Sequence, residues 1–207
     1  MLRRAILKKG EDVTQSVRDT AERIRKLEVQ GARNVAIAAI KALEALAGEK
    51  TAKTRKEFLK QLNEARVTLF ASRATEPLMR NAVRWIISQV ESSDKEKVED
   101  LTAEVASSSS QFLKNLEASK EHIAEIGAKR IRNNMVVFTH CHSSTVTHLL
   151  GKAKEDGKTF EMVCTETRPV FQGRITAKEM LALGVKTTFI VDSAARSFMR
   201  DADLVIV

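Results

Sequence analysis

The sequence predicts an α/β fold: an all-helical domain over residues 1–134, followed by a parallel-sheet domain over residues 135–207 that is incomplete at its C-terminus. Three observations carry that prediction. Up to about residue 134 the apolar residues recur at helical spacing and the only proline is Pro77. From Met135 short β-rich apolar runs without strict alternation are spaced by amphipathic helical ones, the pattern of parallel strands covered on both faces. Gly157 and Gly184 then fall where helices must stop before the next strand.

In the first region, "TQSVRDTAERIRKLEVQ" places Val17, Ala21, Ile24, Leu27 and Val29 near one helix face, with Thr14 or Ser16 as the cap. The next segment, "ARNVAIAAIKALEALAG", is alanine-rich and apolar on most sides, which predicts a helix buried among others and closed by Gly48. Two further helices follow in "TRKEFLKQLNEARVTLFAS" and "EPLMRNAVRWIISQVESS", the second with Pro77 in its first turn, where proline is tolerated. Residues 93–131 read as one long helix. The four serines Ser107 to Ser110 are placed inside it, because the apolar period continues through Val105, Phe112, Leu113 and Leu116.

In the second region the strands are "MVVFTH", "TFEMVCTE", "KTTFIVD" and "LVIV". The helices between them are "SSTVTHLLGKAKEDG", "TAKEMLALG" and "SAARSFMRDAD". The chain ends on the bare apolar run "LVIV", so the sequence is expected to stop before its domain is complete.

Composition narrows the function classes. With 207 residues and 43% hydrophobic content the chain can bury a real core. No window approaches the roughly 18 apolar residues of a membrane helix, and the opening "MLRRAILKKGEDV" does not read as a secretory signal. The two cysteines, Cys141 and Cys164, sit in neither a disulfide-scaffold nor a zinc spacing, which suits the reducing cytoplasm. The net charge of +8 is concentrated before residue 135, but there basic and acidic residues alternate, tyrosine is absent and aromatics are only 4%. Base-stacking platforms are therefore scarce, which argues against a nucleic-acid surface.

Ligands of open parallel sheets bind beyond the carboxyl ends of the strands. Three loops there carry chemistry. After the first strand, "THCHSST" offers the thiol of Cys141. Ser143, Ser144 and Thr145 then begin a helix, either as anion-binding hydroxyls at its positive end or as plain N-caps. After the second strand, Arg168 precedes Pro169, and Gln172, Gly173 and Arg174 lead to a helix capped near Thr176. Arg168 suits a phosphate or carboxylate, or else a surface pair with Glu166. After the third strand, Asp192 is placed either to accept sugar hydroxyls or to cap the following helix. His140 and His142 would share one strand face with Cys141 on the other, and no third protein ligand is evident, so no metal is expected. Cys164 reads as core.

Taken together, "THCHSS", "TETRPVFQGRITAKE", "VDSAARSFM" and the earlier "LEVQGARNVA" resemble the initiation factor 2B related family, most closely its archaeal members. That family includes the α, β and δ regulatory subunits of translation initiation factor 2B, methylthioribose-1-phosphate isomerase and ribose-1,5-bisphosphate isomerase. The resemblance covers essentially the whole chain. It implies a helical domain followed by a Rossmann-like domain, a homo-oligomer and no cofactor. It also implies that Cys141 is the proton-transferring residue, and that a phosphorylated sugar or nucleotide binds along Gln30, Gly31, Ala32, Arg33, Arg73, Ser143, Ser144, Thr145, Arg168, Gln172, Gly173 and Asp192.

The enzymes of this family carry a second catalytic group, the Asp of a Gly-Ala-Asp motif directly after the strand that matches "LVIV", and an Asn-Lys-x-Gly-Thr segment later still. Neither lies within the 207 residues, so the polypeptide as given is expected to be inactive. The family pattern is also altered at three places. Gln30-Gly31-Ala32-Arg33 stands for Arg-Gly-Ala-Gly or Arg-Gly-Ala-Pro, Ser72-Arg73-Ala74-Thr75 for Thr-Arg-Pro-Thr, and Ser144 for a Lys of the bisphosphate isomerases. The resemblance implies an aldose-ketose isomerase of the ribose-1,5-bisphosphate type. The altered positions favour the alternative, a non-enzymatic regulatory subunit that binds a phosphosugar or nucleotide and contacts initiation factor 2.

Overall fold

The computed structural model describes residues 14–207, so the basic opening segment read above as no secretory signal lies outside the described residues. The chain divides into two compact units, the first ending at Asn115 and the second spanning Leu116–Val207. None of the described helices is long and apolar enough to cross a membrane.

The first unit is helical. It contains α1 (Gln15–Arg25), α2 (Ala32–Gly48), α3 (Arg55–Ser72), α4 (Pro77–Ser92) and the first half of α5 (Val98–Ala128). Its core is aliphatic: Val17 and Ile24 of α1 join Val35, Ile40, Leu43, Leu62, Leu69, Met79, Ile86 and Leu101, all fully buried. Such spacing buries one stripe of each helix and leaves the charged remainder in water.

The reading of the first helix needs correction here. The first helix stops at Arg25, so Leu27 adopts a positive φ of 59° and is exposed, while Val29 packs from the following loop. Its cap is Thr14, but through its backbone alone, and Ser16 lies inside the helix. α2 ends at Gly48 as its sequence predicted, with Glu49 still right-handed and the left-handed turn falling to Lys50, at φ 51°. Pro77 does occupy the first turn of α4.

The serine run is helical throughout, inside α5. Ser109 is fully buried and its hydroxyl has no hydrogen-bond partner. A buried hydroxyl without a partner costs about 1–3 kcal/mol, and alanine is the better helix former. Ser109→Ala is therefore expected to raise unfolding stability by about 0.5–2 kcal/mol in urea melts. A loss of stability would mean that the hydroxyl is satisfied.

The second unit is a four-stranded parallel sheet. Its elements are β1 (Met135–Thr139), α6 (Ser144–Glu155), β2 (Phe160–Thr165), α7 (Gly173–Ala182), β3 (Lys186–Ile190), a 3-10 turn (Asp192–Ala194), α8 (Ala195–Met199) and β4 (Leu204–Ile206). The strand order is β3-β2-β1-β4, with Thr139 opposite Cys164 on one side and Ile206 on the other. Val137, Met162 and Cys164 point to one face, where they pack with Leu150 of α6, Met180 of α7 and Ala124 and Ala128 of α5. Phe138, Val163 and Ile190 on the other face meet Ala194, Ala195 and Ala202. Gly157 and Gly184 take the left-handed conformation that ends α6 and α7, as their positions predicted.

The expected helix from Ser193 to Asp203 is short, a 3-10 turn and five residues of α8. The helix expected to be capped near Thr176 begins three residues earlier, at Gly173, which frees Thr176 for a different task.

Candidate functional site

β1 ends at Thr139, so His140-Cys141-His142 is a turn and not the alternating strand end the sequence suggested. Cys141 sits at φ 70°, in the left-handed region that ordinary residues avoid. The conformation is held at both ends of the residue. Its N–H donates to Thr167 Oγ1 at 2.9 Å, and its carbonyl accepts from Thr176 Oγ1 at 2.9 Å. The half-buried thiol donates to Gln172 Oε1 at 3.2 Å. Gln172 is the N-cap residue of α7. The thiol's hydrogen-bond partner thus stands at the N-terminus of α7.

A side-chain amide can accept from a thiol or, turned over, donate to a thiolate, so Gln172 can serve both protonation states of Cys141. The other cysteine contrasts with it. Cys164 is fully buried in the sheet, and burial pushes its thiol up to about 11, which makes it inert at neutral pH.

α7 reaches this position because its first residue has no side chain. A Cβ on Gly173 would lie 1.7 Å from the backbone oxygen of Thr165. Only glycine lets the helix start against the end of β2. The sequence had placed Gly173 among the ligand contacts; the structure gives it this packing role.

The loop after β2 is the second component. Asp192 binds it through both carboxylate oxygens, accepting the N–H of Thr167 and the N–H of Arg168, each at 2.8 Å. Neither sequence reading of Asp192 anticipated this bracing of the neighbouring loop. Thr167 and Phe171 in that loop also have positive φ, 60° and 57°. Three non-glycine residues in a sparsely populated conformation within one cluster mark a site whose backbone is set by its surroundings.

The N–H of Arg168, foremost, and then that of Thr167, the Thr165 hydroxyl and the nearby His140 hold the Asp192 carboxyl below the ordinary carboxylate range, against partial desolvation. A carboxyl lowered on folding stabilises the fold above its unfolded pKa, and that contribution is lost as pH falls through the lower folded value. Amide protection at Thr167 and Arg168 is therefore expected to persist below about pH 4, the usual carboxylate range. It is expected to weaken at every pH in Asp192→Asn, whose amide nitrogen cannot accept. Hydrogen exchange followed by NMR checks both, and loss of protection already at pH 5 would contradict the bracing role.

The remaining candidates are placed as follows. The Arg168 guanidinium is two-thirds exposed and paired with the buried Glu166 at 2.7 Å, which raises its pKa and realises the ion-pair reading. Arg168 and Arg174 both lie over the Phe171 ring, at 5.4 and 4.4 Å. Ser143 caps α6, accepting from the Val146 N–H at 3.5 Å, and Ser144 and Thr145 form its first turn. His140 Nδ1 lies 2.6 Å from Thr165 Oγ1, and His142 Nδ1 lies 3.1 Å from Thr176 Oγ1. Among the described residues no group of three His, Cys, Asp or Glu is arranged to hold a metal.

The other five candidates belong to the helical unit. Gly31, at φ 82°, caps α2 by backbone, Gln30 accepts from the Asn34 amide at 3.1 Å through its carbonyl, and Ala32 and Arg33 open the helix. Arg73 follows α3 and lies 3.5 Å from the buried Glu76.

Sequence reasoning missed Thr165 and Thr167, and read Thr176 only as a helix cap. Their signal was present: Thr165 and Thr167 are two apart at a strand end and so approach the same side. A cavity of about 450 Å³ lies beside α6 and α7. Ser144, His148, Lys152, Glu179 and Leu183 are among its lining residues, and Cys141 is not.

Strand order 3-2-1-4 with the functional loops at the carboxyl ends defines an open parallel α/β protein of Rossmann type. The chain belongs to the initiation factor 2 subunit family, whose model matches residues 28–207. It is 36% identical over 199 residues to the ribose 1,5-bisphosphate isomerase of Pyrococcus furiosus, covering 95% of this chain and 61% of that one. The chain thus spans about three-fifths of the length of the curated relatives it matches. Among solved structures, the translation initiation factor eIF-2B of Pyrococcus horikoshii OT3 superposes with a TM-score of 0.82 at 25% identity, covering 94% of this chain and 66% of that one. The 5-methylthioribose 1-phosphate isomerase of the same organism gives 0.75 at 26% identity, covering 92% and 56%.

Proposed function

We propose that this chain forms the thiol-bearing part of a sugar-phosphate aldose-ketose isomerase of the ribose 1,5-bisphosphate type. The observation that carries the reading is Cys141, a half-buried thiol held in a left-handed turn at the carboxyl end of β1 by Thr167, Thr176 and Gln172. Two isomerases among the similar proteins, both acting on ribose phosphates by their names, support it.

The reaction moves protons and opens a ring. A sugar with phosphate on its anomeric oxygen cannot open spontaneously. The C2 proton is removed, the bond between C1 and the ring oxygen breaks as the C1–C2 double bond forms, and the ring oxygen takes a proton. A proton then enters at C1 as the C2 hydroxyl becomes the ketone. Electrons and atoms balance without a redox partner or cofactor, so the demand on the protein is for acid/base groups. Cys141 serves as one of them. Ser143, Ser144 and Thr145 at the start of α6, with Arg168 in the β2 loop, face the phosphate.

The test is conversion of ribose 1,5-bisphosphate to the 2-ketose, followed by phosphorus NMR, with the protein extended to the length of its relatives. Binding without conversion would favour the second reading: a regulatory subunit that senses a phosphosugar or nucleotide and contacts initiation factor 2. What favours that reading is Arg168, whose guanidinium is already engaged by Glu166. Either reading places the protein in the cytoplasm as a homo-oligomer.

A further inference from the structure

We infer that Thr176 is a positioning residue of this site, setting with one hydroxyl both the peptide of Cys141 and the tautomer of His142; the inference rests on the proposed acid/base role of Cys141. Thr176 lies in the first turn of α7, is 1% exposed, and has two polar neighbours from the β1 turn. A carbonyl oxygen can only accept, so the single hydroxyl proton of Thr176 goes to Cys141 O, 2.9 Å away. The hydroxyl oxygen is then an acceptor for its other neighbour, His142 Nδ1, at 3.1 Å. That nitrogen must carry a proton.

In neutral His142 the proton is therefore on Nδ1 and the lone pair on Nε2, which lies 4.0 Å from Glu179 Oε1. The ring adjoining the thiol in sequence thus presents a bare nitrogen, able to take a proton. The choice is made by Thr176, since a hydroxyl committed to a carbonyl has no proton left to give.

The backbone consequence follows from the same bond. Cys141 stays at φ 70° because its N–H is held by Thr167 and its carbonyl by Thr176, on separate elements. Removing the second hold lets the residue relax toward negative φ, which carries the thiol away from Gln172. Displacement of a reacting group by about 1 Å can cost on the order of 100-fold in rate.

The experiment compares Thr176→Val, Thr176→Ser and the unaltered chain. Long-range proton–nitrogen NMR, with the His142 signals assigned by Thr-independent loss in His142→Gln, reads the tautomer. The expected result is the Nδ1–H form in the unaltered chain and in Thr176→Ser, and loss of that form in Thr176→Val. In the protein extended to its relatives' length, Thr176→Val is expected to lower kcat roughly 10- to 100-fold with KM changed less than about threefold, and Thr176→Ser to restore kcat to within about threefold. An Nε2–H tautomer in the unaltered chain overturns the inference, even if Thr176→Val fails to fold. So does a serine variant as slow as the valine one. The tautomer is read without substrate, so a protein that shows no isomerase turnover would refute the proposed function and leave the inference about Thr176 still decided by NMR.

Discussion

On the proposed function, Cys141→Ser is expected to cut isomerisation by orders of magnitude in the protein extended to the length of its relatives while leaving the sugar phosphate bound. Serine fits where cysteine fits and can donate the same hydrogen bond to Gln172, whose Oε1 lies 3.2 Å from the thiol. What it lacks is acidity: a hydroxyl is a far weaker acid than a thiol and does not exchange a proton with carbon at neutral pH. A positioned acid/base group contributes about 100- to 10,000-fold, so kcat should fall by that factor. The dissociation constant should move less than about threefold, because none of the residues proposed to face the phosphate is altered. Turnover that survives the change would remove Cys141 from the chemistry. Weakened binding with unchanged kcat would make it a contact residue only.

Gly173→Ala is expected to be among the most destabilising single changes in the sheet unit. The added Cβ would stand 1.7 Å from the backbone oxygen of Thr165 and 2.9 Å from its carbonyl carbon, neither of which can swing aside like a side chain. α7 has to move off the end of β2. Overpacking of this kind costs about 3 kcal/mol or more, which in a unit of this size lowers Tm by ~10 °C or more. The same displacement carries Gln172 and Thr176 away from Cys141, so the thiol loses Gln172 and the Cys141 carbonyl loses the Thr176 hydroxyl. Gly48→Ala is the control: it sits in α2 with nothing within 4 Å of an added Cβ, and it should be neutral or stabilising. Equal thermal shifts in the two variants would show that the close approach at Gly173 is not what holds α7.

Much of the fold was legible because it rests on period and punctuation. The buried stripes of α2 and α4, the proline in the first turn of α4 and the glycines after α6 and α7 are all local signals. The serine run was decided by the apolar residues on either side of it, which fixed the phase of α5. Where the reading slipped, the cause was local geometry that spacing does not encode. Leu27 fits the stripe of α1 by count, yet the helix ends two residues before it.

The site divides in the same way. Residue types at strand ends pointed to Cys141, Gln172, Arg168 and Asp192, and the structure brings Cys141 and Gln172 into contact and joins Asp192 to the loop of Arg168. Their tasks were not legible, because a carboxylate that braces a loop and one that binds a sugar look alike in sequence. Asp192 takes two backbone amides from a segment about 25 residues away, and Thr176 binds a carbonyl 35 residues away. Contacts of that range are set by the parallel crossover, and no window of the sequence contains them.

The most direct test of a sugar-phosphate site at Cys141 is the rate at which iodoacetamide alkylates that thiol, resolved by peptide mass spectrometry, with and without ribose 1,5-bisphosphate in the protein extended to its relatives' length. Cys164 is the internal reference, since its thiol is buried and raised to about 11 and should remain unlabelled in both arms. Saturating sugar phosphate is expected to slow labelling of Cys141 at least about tenfold, as a bound ligand excludes the reagent from the thiol it covers. Labelling of Cys141 at the same rate with the sugar phosphate bound would contradict the site.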